Sequence, residues 1–153
     1  MTNGSDIMSS PVPAWLNRFL NVLAERGIAD VSTVQGCTEA EIDEVAQGRS
    51  LPLRYREFLQ TMGRGSARLG GEGYYPSIIG LTADGAELVA EDSAGIVLPA
   101  DALVISMCQG YQFLFLRSGE GDDPPVWYYM ENSGRFDRKF DSFTGYLSTI
   151  AGW

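Results

Sequence analysis

The spacing of apolar residues changes once along this chain, near Gly63, and that change most narrows the folds open to it. Ahead of it, Trp15, Phe19, Val22 and Leu23 recur three, four and seven residues apart, after Pro11 and Pro13 and before a stop at Gly27, which predicts a helix. Thr38 followed three residues later by Glu41 has the spacing of a capping box, and Ile42 and Val45 give the short helix behind it one apolar face, with Gly48 closing it. Leu51 and Pro52 lead into a third helix, in which Tyr55, Phe58, Leu59 and Met62 form the clearest stripe. Beyond Gly63 come Gly65, Gly70, Gly71 and Gly73, and then short apolar runs bounded by turn residues. These predict strands at 75–81, 86–90, 102–107, 111–117 and 126–131, the third and fourth joined as a hairpin across Cys108, Gln109 and Gly110. A last helix is expected behind Ser142, carrying Phe143, Tyr146, Leu147 and Ile150.

Helices, then strands, then a helix, without strand–helix alternation, predict a single α+β domain. The expected architecture is a mostly antiparallel sheet of about five or six strands with helices packed on one side, over residues 13–153, behind a flexible segment at 1–12. On the fourth strand Phe113 and Phe115 fall on one side and Leu114 and Leu116 on the other, so both faces are apolar. Phe113, Phe115 and Trp127 are assigned to the core. Tyr111 and Tyr128, with their hydroxyls and large apolar bodies, suit an interface.

The chemistry-bearing side chains are few. Among 153 residues there is no histidine, which removes the commonest general base, the usual nucleophile–histidine arrangements and most zinc sites. Lys139 is the only lysine, leaving no residue for a phosphate-binding loop or a Schiff base. Cys37 and Cys108 are expected to be reduced thiols of a cytoplasmic protein. The first ten residues have neither a basic start nor an apolar run, so no secretory signal or membrane anchor is expected there. Glu91 with Asp92, and Asp122 with Asp123, are the remaining catalytic possibility, and Glu120 with the latter pair an alternative calcium site. Adjacent exposed acids are more simply solvated surface. No enzyme activity, metal or cofactor is expected.

The net charge of −9 is concentrated in one stretch. Residues 69–131 contain ten acids against Arg117 alone, so this stretch carries the whole excess and the rest of the chain balances. Such a surface repels nucleic acid and steers a basic partner toward itself, although it also serves solubility.

Leu51 and Pro52 running into Tyr55, Phe58 and Leu59, then a glycine-rich turn, Ile79-Gly80-Leu81, the run Pro124-Pro125-Val126-Trp127-Tyr128-Tyr129, and finally Phe143 and Leu147, together resemble the SUKH superfamily. That superfamily includes many bacterial immunity proteins and a fungal regulator of cell-wall synthesis. The resemblance spans 15–150, and it makes Leu51, Pro52, Tyr55, Phe58, Gly80 and Phe143 packing, capping and turn residues; Trp15, Phe19, Leu59, Trp127 and Leu147 join them as structural positions. It implies an immunity protein that neutralises a cognate toxin, such as a nuclease with a basic cleft, by covering its working surface. A regulator of the same fold that binds a housekeeping enzyme is the alternative, and a carboxylate enzyme the third. On the toxin reading, Glu72, Glu87, Glu91, Asp92, Glu120, Asp122 and Asp123, with Tyr111 and Tyr128, form the partner-binding face.

Overall fold

In the computed structural model, residues 12–67, 73–92 and 95–152 are described. The expected flexible segment at 1–12 therefore lies, but for Val12, outside the described residues. Three helices come first: α1 (Ala14–Glu25), α2 (Glu39–Ala46) and α3 (Leu53–Met62). Leu16, Phe19, Leu20 and Leu23 are the buried residues of α1, while Trp15 is half-buried at the edge of that face. The Trp15 indole donates to Glu57 Oε1 at 2.9 Å, tying α1 to α3. The capping box of α2 is complete: the Glu41 amide donates to the Thr38 hydroxyl at 3.2 Å, and the Thr38 amide to Glu41 Oε1 at 3.0 Å. All four stripe residues of α3 are buried.

Two of the expected strands are not strands. Residues 75–81 hold a 3₁₀ turn, Ser77–Gly80, and Ala86 to Ala90 lie within a fourth helix, α4 (Leu81–Glu91). Its buried face is Leu81, Gly85 and Val89, one residue per turn. Gly85 breaks the apolar pattern in the sequence because it has no side chain, yet it is there for a packing reason. A Cβ at this position would lie 2.9 Å from Val104 Cγ2 and 3.3 Å from the Phe113 ring. The helix therefore sits against the sheet at a distance only glycine permits.

The sheet has four strands in the order β1-β2-β3-β4, every pair antiparallel, rather than five or six. They are β1 (Ala102–Cys108), β2 (Gln112–Arg117), β3 (Val126–Met130) and β4 (Asp137–Phe140). The expected hairpin joins β1 to β2, and Gln109 and Gly110 both have positive φ, the sign pattern of a type I′ turn, whose twist matches the strands. The fourth strand was not expected, since Asp137, Arg138 and Lys139 give it no apolar alternation.

The helices are divided between the faces and do not all pack on one side. Phe113, Phe115, Val104 and Tyr129 share the face under α4. The other face, with Ser106, Leu114 and Tyr128, meets α5 (Phe143–Ala151) through Tyr146, whose ring packs tilted against Phe140 of β4 at 5.2 Å between centroids. One buried cluster runs from Leu16 and Phe19 through Tyr55, Phe58 and Leu59 to Phe113, Phe115, Phe143 and Leu147. Leu51 packs on it partly buried, Pro52 precedes α3, and Gly80 is an exposed residue at the start of α4. Cys37 is buried and Cys108 exposed, both free thiols, and burial pushes the Cys37 thiol up to about 11. Among the described residues no helix is long and apolar enough to cross a membrane.

Candidate functional site

The acids assigned to a partner-binding face occupy two opposite ends of the sheet. One end comprises the β1–β2 turn, the turn after β3 and the C-terminal half of α4. The Glu131 amide donates to the Tyr111 carbonyl at 2.8 Å, holding the two turns together. The other end is the β2–β3 loop. The six residues of β2 separate the two by roughly 20 Å at strand rise. Glu72 lies outside the described residues.

At the hairpin end, Glu87 and Glu91 project from α4 into solvent, and Asp84 stands one turn before Glu87. These three line a shallow recess of about 250 Å³ together with Leu88, Met107 and Gly110. Glu131 is exposed beyond it. Among the described residues none of these four carboxylates has an ion pair or a hydrogen bond. Exposed apolar surface sits beside them: Tyr111 is 37% and Met130 39% accessible. Asp92 is different. Its carboxylate accepts from the hydroxyl of fully buried Tyr129 and from the Asn132 amide at 2.8 Å, so it ties α4 to β3 and the turn that follows. Burial, and donation to Asp92, push the Tyr129 hydroxyl up to about 12.

At the loop end the carboxylates are mostly engaged. Asp123 accepts from the Thr144 amide at 2.9 Å and the Thr144 hydroxyl at 2.6 Å, while Ser142 takes the Gly145 amide at 3.0 Å. Between them they satisfy two of the amides that the first turn of α5 leaves unpaired. Glu120 accepts from the Trp127 indole at 2.8 Å, which places Trp127 half-buried on the sheet instead of deep in the core. Asp101, absent from the expected face, pairs with Arg117 at 2.9 Å and accepts from the Gly119 amide at 3.2 Å. Burial alone would raise its pKa, but those two donors outweigh burial and hold it below the usual carboxylate range. Asp122 is exposed, and its carbonyl receives the Arg54 amide at 2.9 Å. Tyr128 belongs to neither end: mid-sheet, its hydroxyl donates to Gln112 and its ring lies 5.0 Å under the Lys139 ammonium.

A second feature adjoins the hairpin end. Between α3, α5 and the outer edge of β1 lies a cavity of about 310 Å³, lined mainly by aromatic and aliphatic side chains. Tyr55 and Phe143 meet edge to face at 5.4 Å in its wall. Tyr55 is only 2% exposed, and among the described residues nothing hydrogen-bonds to its hydroxyl. An unpartnered buried hydroxyl costs about 1–3 kcal/mol. Burial raises the Tyr55 pKa and pushes that of Tyr74, across the cavity, up to about 12, so both remain neutral donors.

Sequence reading did not find Asp84 or Glu131 as members of the free acid cluster. The three- and four-residue spacing of Asp84, Glu87 and Glu91 would have disclosed the first, had this segment been read as a helix.

Helices at the head of the chain, a four-stranded antiparallel meander and a closing helix define a small α+β domain. The chain belongs to the SMI1/KNR4 family (SUKH-1), whose model matches residues 36–149, from just before α2 to within α5. No curated protein matches the chain.

Proposed function

We propose that this chain is an immunity protein that binds a cognate bacterial toxin in the cytoplasm of the cell that makes both, and does so without catalysis. The partner is a basic toxin domain, such as a nuclease, whose substrate-binding surface the inhibitor covers. The observation that carries this reading beyond family membership is the set of four unpaired carboxylates, Asp84, Glu87, Glu91 and Glu131, beside exposed Tyr111 and Met130. Carboxylates without counter-charges are the source of a long-range field, which accelerates encounter with a basic surface. Of the residues expected on the binding face, Glu87, Glu91 and Tyr111 belong to this end. Asp122 remains available at the other, while Asp92, Asp123 and Glu120 hold the fold together and Tyr128 lies between. The test uses the toxin domain that this reading expects to be encoded beside the gene. Glu87→Lys with Glu91→Lys should slow its association about tenfold at low salt, and by less as salt rises. An association rate indifferent to both reversal and salt refutes the assignment of this face. Failure of the wild-type chain to bind the neighbouring toxin, with capture of a housekeeping enzyme in its place, refutes the toxin reading.

A further inference from the structure

We infer that the aromatic cavity beside the hairpin end is an anchor pocket, and that its occupant is a partner segment carrying one apolar aromatic side chain flanked by lysine or arginine. The inference deepens the proposed function and rests on the hairpin end being the binding face. It joins two independent observations. The first is Tyr55, a residue of the cavity wall whose buried hydroxyl has no hydrogen-bond partner among the described residues. Buried hydroxyls in folded proteins are paired with few exceptions, and an exception at the wall of a cavity marks a place where a partner atom arrives from outside. The second is continuity. Met107 of β1 lines both this cavity and the recess formed by Asp84, Glu87 and Glu91, so one segment laid along the edge of β1 reaches both.

The chemistry of the two cavities specifies the segment. Among the described residues no lysine or arginine lines the aromatic cavity, so a carboxylate entering it would lose its water without gaining a counter-charge. The anchor is therefore neutral. Its body meets Phe58, Phe143 and Leu147, and its acceptor, a side-chain or main-chain carbonyl, takes the Tyr55 proton. The acidic recess next door asks for cations on either side of it. At about 310 Å³ the cavity holds roughly ten waters' worth of space, enough for one aromatic side chain and at the lower limit for a separate small ligand. Interfaces concentrate their affinity in such pockets, filled by an aromatic anchor, while the surrounding charges govern encounter.

The test has two arms. In the first, ¹⁵N-labelled protein is titrated with acetyl-Lys-Trp-Lys-amide, acetyl-Lys-Ala-Lys-amide and acetyl-Glu-Trp-Glu-amide. The first peptide should give saturable shifts at Ile105, Met107 and Ile150, with a dissociation constant on the order of 1 mM. The other two should bind at least fivefold more weakly, and Tyr55→Phe should weaken the first by a similar factor without lowering the melting temperature. Absence of saturable shifts, equal shifts with all three peptides, or shifts centred on Tyr128 overturn the inference. In the second arm the neighbouring toxin is bound to wild type, Tyr55→Phe and Ile150→Glu, the last at an exposed position on the cavity mouth. Dissociation should quicken at least tenfold in both variants. If wild type binds the toxin and both variants dissociate at its rate, the anchor pocket is refuted and the toxin reading survives. If wild type does not bind, the toxin reading falls and the peptide arm alone decides the pocket.

Discussion

The two ends of the sheet carry the same kind of side chain and use it in opposite ways. In the β2–β3 loop and the residues around it, Asp101, Glu120 and Asp123 each face a donor: a guanidinium, an indole, a helix amide. At the hairpin end, Asp84, Glu87, Glu91 and Glu131 face none among the described residues. A count of charges along the chain treats these groups alike. Their surroundings separate them, because a carboxylate given a donor is part of the scaffold, and one without a donor projects its field outward. Asp92 is the informative exception, an acid at the free end that has been drawn into the fold.

The comparison can be broken by substitution, and the largest effect is expected at that exception. Asp92→Ala removes the acceptor of the buried Tyr129 hydroxyl and of the Asn132 amide, and should cost about 3 kcal/mol, seen as a reduced urea midpoint with an unchanged slope. A smaller loss, about 1–2 kcal/mol, is expected from Asp123→Ala, which leaves the Thr144 amide at the start of α5 without its acceptor. If thermal unfolding of that variant matched wild type, the loop end would not be the scaffold described here. Asp101 sharpens the contrast through pH. Its folded pKa lies below the ordinary value, so its contribution is present above that value and disappears as pH falls through the lowered one. Melting temperatures should therefore decline below about pH 4, and Asp101→Asn should flatten part of that decline while changing neutral stability by less than about 1 kcal/mol. Least of all, Glu87→Lys with Glu91→Lys should leave stability within about 0.5 kcal/mol, although it is the pair expected to alter association most.

Much of the scaffold was legible because its signals are local. The capping box at Thr38 and Glu41, the stripe Tyr55, Phe58, Leu59 and Met62, and the hairpin across Gln109 and Gly110 each lie within a dozen residues, and each formed as read. Two elements were misread for physical reasons. In α4 the residue nearest the sheet is Gly85, so the helical stripe has a gap where packing is tightest. In β4 the side chains are charged and the strand exists through its ladder to β3. The candidate face was legible only as a composition. That Asp92 would meet Tyr129, or Asp123 meet Thr144, depends on contacts 37 and 21 residues apart, which no spacing rule encodes. The Tyr55 hydroxyl was hidden differently: as part of an apolar stripe the residue read as packing, which its ring is, and only the assembled fold shows its buried hydroxyl without a partner among the described residues.

The fourth strand closes the sheet with four residues, three of them charged. A terminal strand offers an unpaired row of backbone groups on which another chain could polymerise. Brevity limits how much such an intruder would gain, and Arg138 and Lys139 would have to be stripped of water to admit it. This guard is cationic, so it persists in acid, where protonation abolishes the carboxylate repulsion that otherwise keeps copies of an acidic protein apart. The most basic stretch of the sheet thus gives the molecule colloidal insurance under the conditions that disable its negative charge.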